Sequence, residues 1–288
     1  MSSTPLLFSV MPGGWKPFIP VYPGNKAHAR YRKVIFGGRF QWGAIVEPFA
    51  GTGSTALYGR TESRILAEAA PDVRAIWSAW VEGDWGYIQD GIRSYQRMPT
   101  QEAWDTAKAV YTQHQGLQLA AASLVLRKLA FGGVIRHGAN GELNVSWHES
   151  KAMSFRQWKA PAPHATGKVM LYDDALQCLR ESPEDDALVV IDPPYWLPGT
   201  GRMTPAYRAH TPHGDDTFAL CIDALALALP WARRIVVCNY ESPQLHKAIL
   251  ALAPHTKWVD FGVMDRMNNG NGEAKVKANE RFWVIDNG

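Results

Sequence analysis

Apolar residues fall along this chain in two rhythms. Short, near-continuous runs such as "ALVVI" (187–191) and "RIVVCNY" (234–240) read as strands buried on both faces, which makes parallel pairing the natural expectation. The run "KVMLYDDALQCL" predicts a strand, an acidic turn and a helix, while "AIVEPFAGTGSTALYG" (44–59) predicts a strand, a glycine-rich turn and the start of a helix. Ser54 or Thr52 is available to cap that helix. "RILAEAA" (64–70) is a second short strand that ends in an acid, Glu68. The helical rhythm is clearest in "GDDTFALCIDALALALPWARR", a crossover between two strands with Pro230 near its end. From about residue 72 to 165 the texture changes to helical stretches such as "TQEAWDTAKAVYTQHQGLQLAAASLVLRKLAF", followed by a basic stretch rich in Gly and Asn. The expected fold is therefore α/β, with one domain assembled from residues 1–71 and 166–288 and a mainly helical unit, 72–165, inserted into it.

The most informative local feature closes one of the buried runs: Asp192, Pro193, Pro194 and Tyr195 follow "ALVVI" directly. Strand ends are where an open α/β sheet places its chemistry. The first proline forbids helix at Asp192, and consecutive imino acids present carbonyl acceptors without N–H donors. A carboxylate, rigid carbonyls and an aromatic face suit a planar group bearing an exocyclic NH2, such as a nucleobase. A strand followed by a proline turn with a packed tyrosine is the plainer alternative for the tetrapeptide alone.

The glycine-rich turn sharpens this. Gly51 and Gly53 let backbone approach a ligand closely, and the N–H groups of a helix start favour an anionic group. A phosphate-cradling P-loop is excluded, because G-K-[ST] is missing. Glu68, at the end of the next strand, stands where a carboxylate can accept from both hydroxyls of a ribose.

In their order along the chain these motifs resemble the Dam-like group of S-adenosylmethionine-dependent DNA adenine-N6 methyltransferases. Three further segments are similar to that family: "YPGNKAHA" around Lys26, "LRKLAFGGVIRHGANGELNVSW" (126–147) and "RIVVCNYES" around Asn239. The resemblance implies a Rossmann-like methyltransferase sheet with an inserted target-recognition domain (72–165) carrying a β-hairpin, S-adenosylmethionine as cofactor and double-stranded DNA as partner. It implies cofactor contacts by Lys26, Glu47 and Phe49, by Gly51, Gly53 and Ser54 of the loop, and by Glu68 and Asp174. Asp173 is the alternative to Asp174, a helix N-cap is a third reading for either, and Lys26 sits near the cofactor or near Asp192, with a solvated surface lysine as the alternative. Arg136, Asn140 and Asn144 become candidates for DNA contact, since arginine reads guanine edges and phosphates while asparagine pairs with adenine, with a turn position beside Gly141 as the favoured alternative for Asn140. Arg202 and Arg208, in the Gly/Pro-rich loop after the tetrapeptide, are candidates for phosphate contact, with a solvated connection as the alternative. The chain departs from the family pattern at Glu68, where Asp is usual, at Leu143, where an aromatic is usual, and at Ser146, where proline is common.

The implied chemistry is methyl transfer to the adenine amino group. The base must leave the stack. Asp192 and the Pro193 carbonyl then accept both amine hydrogens, freeing the nitrogen lone pair, with Pro194 rigid beside them and Tyr195 stacked on the base. The competing readings are the same chemistry on cytosine N4 or on adenine in RNA, and a catalytically silent DNA-binding relative.

Composition narrows the picture without redirecting it. The 288 residues are 46% hydrophobic, enough for a full core, and the formal net charge of +3 permits DNA binding without demanding it. Cys178, Cys221 and Cys238 are odd in number and lack C-x-x-C spacing, so a reduced intracellular protein is expected. No His/Cys cluster suggests a metal. Without an apolar segment long enough for a membrane span or a secretory signal, the expectation is a monomeric cytoplasmic protein of a bacterial or phage-infected cell.

Overall fold

Seven strands form one sheet in the computed structural model, which describes residues 26, 28–130, 135, 143–144, 146–162, 167–195, 217–265 and 277–288. They are β1 (Gln41–Glu47), β2 (Arg60–Ala67), β3 (Lys168–Tyr172), β4 (Ala187–Ile191), β5 (Arg234–Tyr240), β6 (Lys257–Asp265) and β7 (Lys277–Asp286). Their order across the sheet is β3-β2-β1-β4-β5-β7-β6. The first five run parallel, as the apolar runs predict, whereas β7 is antiparallel to both β5 and β6. Strand order reverses between β1 and β4. The chain therefore leaves these two neighbours toward opposite sides, and the opening between their carboxyl ends is the place where such sheets bind ligands.

The helices are α1 (Ala29–Phe36), α2 (Ser54–Tyr58), α3 (Pro71–Val81), α4 (Trp85–Gln96), α5 (Thr100–Gln113), α6 (Gly116–Leu129), α7 (Ala152–Arg156), α8 (Ala175–Glu181), α9 (Thr217–Ala228) and α10 (Pro243–Leu252). They cover both faces of the sheet. Because strand side chains alternate, Ala44 and Val46 of β1 pack with α8, α9 and α10 while Ile45 faces α1 and α3 on the other side. β4 does the same: Leu188 and Val190 point one way, Val189 and Ile191 the other. With both faces covered, the strands carry no polar alternation, which is why they read as unbroken apolar runs.

Helices α3 to α6 share one apolar cluster with the sheet face formed by Ile45, Leu66, Val190 and Phe282. α6 is buried along most of its length and carries Arg127 into the interior, where its guanidinium meets Asp72 of α3 at 2.7 Å. Ser123 Oγ donates to the same carboxylate oxygen at 2.7 Å. Losing either partner of such a buried pair would strand a charge in the core. The chain after α6 returns to form an antiparallel bridge between Ala130 and Trp147, and His148 N–H donates to the Leu129 carbonyl at 3.2 Å.

Candidate active site

The loop that leaves β1 is shaped by two residues in the left-handed region, Gly51 (φ 49°) and Gly53 (φ 57°). A Cβ on Gly53 would stand 2.3 Å from the Trp77 ring, and Trp77 Nε1–H donates to the Gly51 carbonyl at 2.8 Å. The loop therefore lies flat on an indole, and only glycine fits there. Gly53 itself is the N-cap of α2 and makes no side-chain cap bond. This corrects the expected cap by Ser54 or Thr52. Ser54 is already the first helical residue, and the position before it must be left-handed.

Protein carboxylates hold the N–H groups of this segment, so the expected anion-binding helix start is corrected as well. Glu47, the last residue of β1, accepts from Ala56 N–H at 2.9 Å. Glu68, just past β2, accepts from Gly51 N–H and from Ala70 N–H, each at 2.8 Å. α2 is a single short turn whose donors are largely spoken for. Burial pushes the carboxyls of Glu47 and Glu68 up to about 7, against the opposing pull of these backbone bonds. Phe49 packs half-buried on the α8–α10 side.

Beside Glu68, β3 ends in the two acids. Asp174 is the N-cap of α8, accepting from Gln177 N–H at 2.7 Å. Asp173 is exposed and lies 3.7 Å from Arg74.

Across the opening, Asp192 to Tyr195 follow β4 without a break. Lys26 Nζ lies 2.8 Å from Asp192 Oδ2 and 3.4 Å from Glu280 Oε1, and it is buried. Of the places open to Lys26, the structure has it against Asp192, buried and not on the solvated surface. Tyr195 OH donates to Glu280 Oε1 at 2.9 Å, and Tyr31 OH donates to Glu280 Oε2 at 2.5 Å. The Tyr195 ring meets Tyr240 edge-on at 4.7 Å between centroids, and the Lys26 ammonium stands 5.1 Å from the Tyr195 centroid. Only 8% of Tyr195 is exposed, so it offers the rim of a packed cluster rather than an open platform.

One atom in this group has no partner. Asp192 Oδ1 is shielded from solvent and receives no hydrogen bond among the described residues. Burial pushes the Asp192 carboxyl up even though Lys26 beside it pulls the other way. Burial also works against the charge on Lys26, yet attraction to Asp192 and Glu280 outweighs it and holds the ammonium above the usual lysine value. Burial and the Glu280 carboxylate push Tyr31 up to about 12. Close by, Asn239 is fully buried at the end of β5, its side-chain oxygen accepting from Tyr240 N–H at 2.8 Å.

Glu280 and Tyr31 are absent from the residues singled out in the sequence. A signal existed for Glu280. It shares a strand face with Phe282 and Val284, both in the apolar cluster, so period-two counting puts an acid into the core. Tyr31 lies one turn before Ile35 on α1 and carried no comparable mark.

Four of the residues proposed to meet DNA, Arg136, Asn140, Arg202 and Arg208, lie outside the described residues. So does most of the segment expected to form the hairpin, and in its described part Ala130 bridges Trp147. Asn144 is exposed, and Leu143 packs half-buried on the large apolar cluster. Among the described residues, no helix is long and apolar enough to cross a membrane.

Comparison with known proteins bears on what these two clusters do. A model of the D12 class N6 adenine-specific DNA methyltransferase family matches residues 36–204, more than half of the chain. A DNA N-6-adenine-methyltransferase of Escherichia phage P1 is 22% identical over 240 residues, covering 77% of this chain and 32% of the relative. DNA adenine methylases of two Vibrio cholerae O1 strains are 22% identical over 205 residues, covering 69% of this chain and 73% of theirs. The chain thus spans about a third of the length of the phage relative and about three quarters of the Vibrio ones. Among solved structures, a precorrin 8w decarboxylase from Methanobacterium thermoautotrophicum aligns over 91% of each chain at 13% identity and a TM-score of 0.38, too loose a likeness to bear on function.

Proposed function

The chain belongs to the D12 class N6 adenine-specific DNA methyltransferase family, and from that premise we propose that it transfers a methyl group from S-adenosylmethionine to the N6 amine of an adenine flipped out of double-stranded DNA. The observation that carries this reading is Asp192 Oδ1, a buried carboxylate oxygen without a hydrogen-bond partner among the described residues, beside a rigid Pro-Pro step. Buried polar atoms are satisfied almost everywhere in proteins, so an orphaned acceptor at the switch point asks for a donor from a ligand. An exocyclic NH2 is such a donor.

The residues on the β1–β2 side fit the methyl donor. Gly51 and Gly53 leave the loop surface free of side chains, and each Glu68 oxygen holds one backbone N–H, which leaves it a further lone pair for a ribose hydroxyl. Glu47, Phe49, Ser54 and Asp174 border the same strand ends. When bound, S-adenosylmethionine supplies a methyl carbon on a positively charged sulfur, the electrophile an aromatic amine requires.

The protein's part is to make that amine nucleophilic. Its lone pair is delocalised into the ring until both N–H bonds are held. Asp192 Oδ1 accepts one hydrogen and the Pro193 carbonyl accepts the other, while Lys26 occupies Oδ2 and so fixes which oxygen faces the base. Methylation of N6 requires one amine proton to leave, and Asp192 is the acceptor placed to take it. Orienting two reactants in this way removes on the order of 7–11 kcal/mol from a barrier, so a weak base suffices. Tyr195, its hydroxyl anchored by Glu280, meets the edge of the base.

Residues 72–165 supply target recognition. α6 is a buried helix that ends at Leu129, and Ala130 directly after it bridges Trp147, which brings the two ends of the basic stretch side by side. Arg136, Asn140 and Asn144 belong to that stretch, and Arg202 and Arg208 to the segment after Tyr195.

Labelled methyl transfer to DNA, RNA and fully methylated DNA, followed by nucleoside mass analysis, tests the proposal. N6-methyladenine in unmethylated DNA alone is expected. N4-methylcytosine, label in RNA only, or DNA binding without transfer would each replace this reading with a different one.

A further inference from the structure

We propose that Glu280 is a positioning residue for the transfer, the group that fixes Lys26 and Tyr195 so that Asp192 presents one chosen oxygen to the target amine. The inference rests on the methyltransferase reading. It starts from a count of donors and acceptors. Lys26 faces two carboxylates, Asp192 Oδ2 at 2.8 Å and Glu280 Oε1 at 3.4 Å. Two tyrosine hydroxyls, from Tyr31 and Tyr195, also end on Glu280. The acid is 5% exposed and sits on β7, paired across the ladder with Tyr240, whose ring touches Tyr195. Each Glu280 oxygen thus has a donor, whereas Asp192 is left with an orphan.

Without Glu280 the ammonium would lose its second carboxylate, and with it one of the pulls that draw it away from Oδ1. With it, Lys26 is drawn from two directions and stays on Oδ2. The cluster of one ammonium and two carboxylates also keeps a surplus negative charge, which favours receipt of the proton that leaves the amine. Tyr31 ties α1 to the same carboxylate, so the strand β7, the N-terminal Lys26 and the tetrapeptide after β4 are held in one network.

Glu280→Gln keeps the shape and one acceptor but removes the charge. Its kcat on DNA is expected to fall roughly 10- to 100-fold, the scale of a misplacement of about 1 Å, with KM for cofactor and DNA within about threefold. A structural role alone would not move the next readout. Asp192 is faced by Lys26, Glu280 and Tyr195, and also by Glu47 of β1, Cys238 of β5 and Cys221 of α9. Removing one negative neighbour lowers the pH at which Asp192 ionises, so the acid limb of the kcat profile should move to lower pH. Carboxyl 13C titration of Asp192 in the ligand-free protein, assigned with Asp192→Asn, should show the same downward move without any turnover. Tyr31→Phe, which spares the carboxylate, should lower kcat about threefold or more and serves as the test if Glu280→Gln does not fold. A kcat within threefold of the parent in either variant, or an unmoved Asp192 titration in Glu280→Gln, overturns the proposal. If the parent protein methylates no adenine in DNA, the family-level reading falls, and the titration still decides whether Glu280 governs Asp192.

Discussion

The two banks of the opening treat their acids differently. On the β1–β2 bank, Glu47 and Glu68 accept hydrogen bonds from backbone N–H groups, whose positions the loop itself determines. On the β4–β5–β7 bank, Asp192 and Glu280 meet side chains, Lys26, Tyr31 and Tyr195, and one oxygen of Asp192 receives no hydrogen bond among the described residues. Backbone-held acids shape a binding surface and are costly to move. Acids held by side chains can exchange partners during a reaction. The first arrangement suits holding a cofactor and the second suits chemistry on an amine, so damage to each bank should appear in different constants.

The largest effect belongs to Asp192. Asp192→Ala should lower methyl transfer by about 10³-fold or more while cofactor affinity stays within about tenfold, because the carboxylate acts mainly in the transition state. Calorimetry alongside labelled transfer separates the two, and near-parental turnover would remove Asp192 from the chemistry. Next comes Gly53→Val. Its Cβ would collide with Trp77 and force a left-handed conformation on a β-branched residue, so cofactor binding should weaken by several kcal/mol, with a loss of thermal stability of about 2 kcal/mol or more. A variant that melts and binds like the parent would mean that the loop does not lie on the indole. Glu68→Ala should cost about 1–3 kcal/mol of cofactor affinity, the value of a hydrogen bond to a charged group.

A smaller effect sharpens the same contrast through pH. Glu47 and Glu68 titrate near 7 in the folded protein against about 4.5 unfolded, so the folded state binds more protons between those values. The stability these groups contribute is complete below about pH 4.5 and is lost as pH rises through 7, on the order of 3 kcal/mol for each. Thermal melts of the ligand-free protein should fall across that window, and Glu68→Gln should flatten the slope. Cofactor affinity should run the other way and rise from pH 6 to 8, since a ribose hydroxyl needs the ionised carboxylate. A melt profile with the same slope in Glu68→Gln would show that Glu68 does not titrate there.

Much of this was legible in the chain, and the reasons differ by element. β1, β4 and β5 were readable because both faces of the sheet are covered, which writes burial into a local string of apolar residues. β7 was not, since its place between β5 and β6 is decided by antiparallel pairing with β5, from which α10 and β6 separate it in sequence. The Asp192 tetrapeptide and the Gly51–Gly53 turn stood out because backbone conformation restricts which residues fit there. Ser54 and Thr52 misled for a related reason: cap preference is a local rule, and Trp77, more than twenty positions away in the chain, overrode it by demanding a glycine. Glu280 lies 85 positions from Tyr195 and 249 from Tyr31, and only the folded sheet brings their hydroxyls to one carboxylate.

The division of labour between the banks is tested most directly by measuring calorimetric S-adenosylmethionine affinity and single-turnover transfer to adenine-containing duplex DNA on Asp192→Asn and Glu68→Gln side by side. Asp192→Asn is expected to bind cofactor normally and to transfer at least about 100-fold more slowly. Glu68→Gln should bind less tightly yet regain most of the parental rate at saturating cofactor. Loss of cofactor binding in Asp192→Asn, or a rate in Glu68→Gln that saturating cofactor cannot restore, would contradict the assignment of binding to one bank and chemistry to the other.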